Sequence, residues 1–151
     1  MKYCFAFVAA ALLLNACSGA KETGEESGTN EAKAIFSEAM DVHDAVMPNM
    51  DAIMKMKKKV STAQDSLTRA GATEEQIKAY KNVFSDLDEA DKGMMKWMRA
   101  VEPVPENFNE LPQAAQDSIM NLQREQKQTI EEVRQQMNQS MQKARELLEN
   151  S

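Results

Sequence analysis

Phe36-Ser-Glu-Ala-Met-Asp-Val-His-Asp-Ala-Val-Met-Pro-Asn-Met-Asp-Ala-Ile-Met-Lys-Met-Lys-Lys-Lys-Val-Ser-Thr-Ala-Gln-Asp-Ser-Leu67 is the stretch whose spacing decides the fold. Ala39, Val42, Val46, Ile53, Met56, Val60, Ala63 and Leu67 follow a 3-4 spacing, and Phe36, Met40, His43, Met47, Met50 and Met54 form a second stripe beside them. That period places both stripes on one side of an α-helix. Two adjoining stripes make an apolar face wide enough for two neighbours, which predicts a helix over 30–70 packed inside a bundle. Gly71 supplies its C-terminal stop. Pro48 removes one backbone donor and crowds the carbonyl four residues back, so a kink between His43 and Met50 is expected, with a full break there as the alternative.

Downstream, Thr73-Glu-Glu-Gln76 is a capping box that opens a second helix over 74–101, with Ile77, Tyr80, Phe84, Leu87, Asp91, Met94, Met98 and Val101 facing inward. Glu102-Pro-Val-Pro-Glu-Asn-Phe-Asn109 is stiffened by proline and reads as a connection. Asn109 and Pro112 begin a third helix over 110–149, marked by Ala115, Ile119, Leu122, Ile130, Val133, Met137, Met141, Ala144 and Leu148. No strand pattern or fixed-period repeat interrupts this. The expectation is all-α: an antiparallel, up-down-up three-helix bundle with coiled-coil-like packing. At 1.5 Å per residue the helices come to roughly 60, 42 and 60 Å, so the ends near 31–40 and 140–149 are expected to lack a cover and to pair with another molecule or fray.

Upstream the chain reads differently. Lys2 is followed by an uncharged run from Tyr3 to Leu14, which is shorter than the roughly twenty residues a bilayer core requires and has the form of an export signal. Leu14-Asn-Ala-Cys17 directly follows and resembles the lipobox of bacterial lipoproteins. The resemblance implies cleavage of residues 1–16 and acylation of Cys17, whose chains would each add about 0.8 kcal/mol of membrane affinity per methylene. Ser18, rather than Asp, follows the cysteine; in the enteric sorting rule this implies the outer membrane. Residues 17–29 run through Lys21-Glu-Thr-Gly-Glu-Glu-Ser-Gly-Thr29, rich in Gly, Ser and Glu, and are expected to form a flexible linker.

The formal charge of -6 becomes about -7 once Lys2 leaves with the signal, which argues against a nucleic-acid binder and against purely electrostatic attachment to anionic lipid. Both cysteines, Cys4 and Cys17, precede the helical body, so the body has no thiol for disulfides or nucleophilic attack. No Gly-rich phosphate loop or His-Glu-x-x-His is present. The Glu-x-x-His of di-iron bundles also fails, because Met40 stands three before His43. The chain is therefore not expected to be an enzyme, and no cofactor is required.

Twelve methionines are the compositional anomaly. An antiparallel hairpin turning at Gly71 sets Met47 against Met98, Met50 against Met95 and Met54 against Asp91. Packing of irregular core gaps is the favoured reading of these thioethers. The alternative is a soft-metal site for Cu(I) using His43, Met47, Met50, Met54, Met94 and Met98, with Asp44 or the 102–109 loop orienting the imidazole. A third reading makes Met95 and Trp97 an exposed contact patch. Asp91 interrupts an apolar stripe and needs a partner, either Lys57 or Gln126. Gly93, costly inside a helix, points to close helix approach.

His43-Asp-Ala-Val-Met-Pro-Asn-Met50, Ile53-Met-Lys-Met-Lys-Lys58 and Ala90-Asp-Lys-Gly-Met-Met-Lys-Trp-Met98 together resemble a group of small uncharacterised lipoproteins of Bacteroidetes, some labelled "viral A-type inclusion protein". The resemblance implies a phylum and an envelope compartment, and it carries no activity or ligand. The expected role is that of a lipid-anchored envelope protein, membrane-bound through Cys17 and facing the periplasm or the cell surface. It would act by structure or by contact with an envelope protein or a second copy of itself.

Overall fold

The computed structural model describes residues 22–150; the leader, the lipobox with Cys17, and residues 17–21 of the expected linker lie outside them. Four α-helices make up the fold: α1 Glu22–Val46, α2 Asn49–Arg69, α3 Glu74–Ala100 and α4 Gln113–Glu149, with a single 3-10 turn at Phe108–Glu110 before α4. The chain is an all-α bundle, as its periodicity predicts. None of the described helices is long and apolar enough to cross a membrane.

Three columns carry these helices. α1 and α2 stack end to end along α4 and run parallel to it, as the pairings Glu31 with Arg124 and Glu38 with Lys127 require. α3 runs antiparallel to both, joined to α2 by Lys57 with Asp88 and to α4 by Asp86 with Lys143. The core is one apolar seam of Ile53, Val60, Leu87, Met94, Ile130 and Met137, all fully enclosed. Gly93 allows α3 to approach α4 closely, since a Cβ there would stand 3.4 Å from Val133 Cγ2.

Local signals hold at the ends of α2 and α3. Gly71 adopts φ 78°, a conformation that suits glycine, and ends α2. Thr73 and Gln76 form the reciprocal capping box that starts α3. The long first helix is broken rather than kinked. Pro48 has no N–H, and Met50 N bonds to Met47 O instead of reaching a full turn back, so a tight turn separates α1 from α2. Thus the bundle has four helices in three columns, where three continuous helices were expected.

Two further expectations are corrected. Helix α1 starts at Glu22, so the linker expected over 17–29 is helical from Glu22 onward. The extension is held at its base: the Thr29 hydroxyl donates to Asn109 Oδ1, and Gly28 sits against the buried Phe108 ring. The segments 31–40 and 140–149 are not free ends. Ala32 and Ala39 are enclosed against α4, and Met141 and Ala144 are buried in the seam. At the 31–40 end the connection 101–112 leaves the end of α3 and runs beside the first part of α4, covering what α3 is too short to reach, whereas 140–149 lies against α3 and α2, with Lys143 on Asp86 and Leu148 beside Ala63.

A polar clasp fixes that connection. Gln126 Oε1 accepts from Glu102 N, while the side-chain amides of Gln126 and Gln123 both donate to Glu102 O, at 3.2 and 3.1 Å. The backbone carbonyl of Gln126 accepts from Trp97 Nε1 at 2.8 Å. Gln126→Ala removes both of its side-chain bonds to Glu102, leaving Glu102 N without its partner while Glu102 O keeps only the Gln123 amide, which should destabilise the bundle by about 1–2 kcal/mol. Chemical denaturation checks this, and a change below about 0.5 kcal/mol, the range of an ordinary surface substitution, would contradict it.

Candidate functional site

The residues with most chemical character gather around the α1–α2 break. His43, in the last turn of α1, is largely enclosed; its Nδ1 lies 2.9 Å from Asp44 Oδ1, and its ring stacks on Trp97 with centroids 5.4 Å apart and planes at 25°. Asp44 is thus the orienting partner. The stack links α1 to α3, and the Trp97 bond to Gln126 carries the link on to α4. Trp97 is only 4% exposed, so it is an internal anchor; the contact patch expected from Met95 and Trp97 is reduced to Met95.

The six residues of the soft-metal alternative do not share one environment. Met94 is fully enclosed and belongs to the central seam, whereas Met54 projects into solvent. Met47, Met50 and Met98 are half-buried and pack against that seam. Among the described residues no group of three or more His, Cys, Asp or Glu side chains is arranged to hold a metal ion. Filling of the space around a helix break accounts for Met47, Met50 and Met98, as a flexible unbranched side chain adapts to irregular gaps.

One turn along the α2–α3 seam, Lys57 forms the densest charged node. Its ammonium lies 2.6 Å from Asp88 Oδ1 and 3.2 Å from Asp91 Oδ2, and 5.7 Å from the Phe84 ring centroid; Lys92 closes the far side of Asp88 at 2.6 Å. Asp91 therefore takes Lys57 as its partner, and Gln126 serves the clasp instead. Burial alone would lower the Lys57 ammonium, but hydrogen bonds to Asp88 and Asp91 together with their charges outweigh it and hold the group above its usual value. The hydrogen bond from Lys57, and then that from Lys92, pulls Asp88 down to about 2. Lys127 is likewise held up, chiefly by its hydrogen bond to Glu38.

The grooves on the surface are open. One of about 460 Å³ lies between α1 and the start of α4, and its charges are already engaged: Glu31 with Arg124, and Asp117 with the Gln113 amide. Another, of about 320 Å³, lies between α3 and α4 over Trp97, Val101, Leu122 and Val133, with Lys96 and Glu125 among its lining. Neither brings together a nucleophile, a base and an orienting group.

Sequence reading missed Gln123, and it placed Gln126 as a possible partner of Asp91 rather than at Glu102; both glutamines are buried. The signal for Gln126 was a gap: the apolar stripe of α4 skips a turn between Leu122 and Ile130, and Gln126 occupies it. Gln123 Oε1 finds no hydrogen-bond partner among the described residues, so the clasp carries an unrelieved polar cost.

The charged node dictates an acid response. Asp88 sits at about 2 in the fold against 3.8 ordinarily, so its pairing contributes fully above the ordinary value and is lost as pH falls from 3.8 towards 2. Lys57 and Lys127, raised from 10.5, contribute below that value and lose their share as pH rises through their folded values. Carboxyl-carbon NMR should show Asp88 titrating near 2 in the native protein and moving up towards 3.8 in Lys57→Met; an unmoved Asp88 would contradict the node. No protein-family model matches the chain, and no curated protein or solved structure matches it either.

Proposed function

We propose that this protein is exported, acylated on Cys17 and held at an envelope membrane, outer rather than inner, where its bundle acts as a structural or protein-binding scaffold and not as an enzyme. The observation that carries the reading is Leu14-Asn-Ala-Cys17 placed directly after the uncharged Tyr3–Leu14 run. The body's geometry supports it. Only residues 18–21 separate Cys17 from the start of α1 at Glu22, so an extended chain of about 3.4 Å per residue reaches less than about 20 Å. The base of the bundle, formed by the start of α1, Phe108 and the start of α4, would lie close to the lipid. α4, with 37 residues, would carry the Gly71 end roughly 55 Å along the bundle axis.

A scaffold also suits the chemistry on the surface. The exposed faces of α4 are Gln, Glu, Lys and Arg joined by helix-period pairs such as Gln128 with Glu132 and Gln142 with Glu146, and net negative charge leaves acylation as the means of attachment. The partner in this reading is another envelope protein or a second copy of the chain.

In cells, the wild-type protein should sediment with membranes, and its N-terminal peptide should carry a diacylglyceryl thioether with an N-acyl group on Cys17. Cys17→Ser should leave an unprocessed precursor lacking both modifications. An unmodified Cys17 still joined to residues 1–16 in the wild type would overturn the proposal. Chemical cross-linking of the acylated protein in its membranes should capture a specific envelope protein or a homodimer; a monomer with no captured neighbour would remove the scaffold role.

A further inference from the structure

The methionines span the full range of exposure, with Met40, Met47, Met50, Met56, Met98 and Met120 half-buried between two extremes. Met94 and Met137 are fully enclosed, whereas Met54 is 55% and Met95 40% exposed, the two large apolar side chains that stand out in solvent among the described residues. Met54 stands on α2 and Met95 on α3, outside the apolar seam. Met54 lies three residues before Lys57, and Met95 four residues after Asp91, while Lys57 and Asp91 are joined at 3.2 Å. Because α2 and α3 run antiparallel, those offsets carry both thioethers one turn from the same bridge in the same direction, onto one small patch. Each has an exposed cation one turn on along its own helix, Lys58 for Met54 and Arg99 for Met95.

We propose that Met54 and Met95 form a reversible oxidation site, taking an oxygen atom from hydrogen peroxide while the bundle stays folded. The sulfur lone pair attacks one peroxide oxygen, the S–O bond forms as the O–O bond breaks, and the departing hydroxide takes a proton to become water. Sulfur is oxidised by two electrons and the peroxide is reduced. A thiol-dependent sulfoxide reductase restores the thioether, releasing water and converting two thiols to a disulfide. The sulfoxide oxygen is a strong acceptor, and on this patch it meets water and the Lys58 or Arg99 donors. At Met94 or Met137 the same oxygen would be buried without a partner and would disrupt the seam. The fold thus places its most exposed sulfur, at Met54 and Met95, outside and the sulfur of Met94 and Met137 inside. The patch turns from apolar to polar on oxidation, so a contact made there would weaken.

Graded hydrogen peroxide treatment of the full chain, followed by peptide mass spectrometry, tests this. Met54 and Met95 should gain oxygen at least about ten-fold faster than Met94 and Met137. The far-ultraviolet helical signal should not change, and a methionine sulfoxide reductase with dithiol should remove the added oxygen. Equal rates, a helical signal falling together with the first oxygen taken up, or an oxygen the reductase leaves in place would each overturn the proposal. In Met54→Gln/Met95→Gln, with the helical signal retained, the fast phase of oxygen uptake should vanish; its persistence would also overturn the proposal.

Discussion

α4 is longer than the helix that should cover it, and the rest of the molecule is arranged around that mismatch. It has 37 residues against 27 in α3. Ten extra residues correspond to about 15 Å of helix whose apolar side needs a cover, because exposed apolar surface forfeits about 25 cal/mol per Å². The chain meets the need with the connection 101–112 and with α1, which together form a small second cluster around Phe108, Ala32 and Gly28 below the main seam. Extended backbone beside a helix exposes amides and carbonyls that no ladder satisfies. Gln123 and Gln126 supply those partners at Glu102, so the polar clasp is the condition for the apolar cover.

Much of this was legible in the residues. The 3-4 periodicity identified the helical segments from residue 30 onward, and Gly71 and the Thr73–Gln76 box fixed the ends that depend on backbone conformation and local hydrogen bonds. Three features were not legible, each because it depends on distant contacts. Glu22–Thr29 has the composition of a linker, yet Thr29 and Gly28 dock on Asn109 and Phe108, eighty residues away in sequence in the case of Thr29. Pro48 permits a kink or a break, and the choice falls to a break where α1 follows α4 and α2 packs on α3 as well. The free end inferred near 31–40 disappears because the connection itself is structural, and the one near 140–149 because α3 and α2 both reach it.

The candidate site was partly legible in the same way. Asp91 announced a buried partner by interrupting an apolar stripe, and Lys57 provides it. The stacking of His43 on Trp97 was hidden, since nothing in either residue's own neighbourhood specifies the other. The methionine-rich stripes were visible as thioethers on two facing helices. Which of them point inward depends on a rotation of about one residue: Met94 is enclosed, and Met95, next to it, is exposed. That rotation separates packing sulfur from reactive sulfur and removes Met54 from any common ligand set with Met94.

The central claim is that α1 and the 101–112 connection are integral to the bundle and complete α4 at the end where α4 begins. Hydrogen exchange of the full chain, resolved by peptide, tests this most directly. The account predicts that amides in 29–46 are protected by sub-global opening on the timescale of α3 and α4, as expected for helices held in one cooperative unit. Exchange of 29–46 at the rate of an isolated helix, with α3 and α4 still protected, would contradict it.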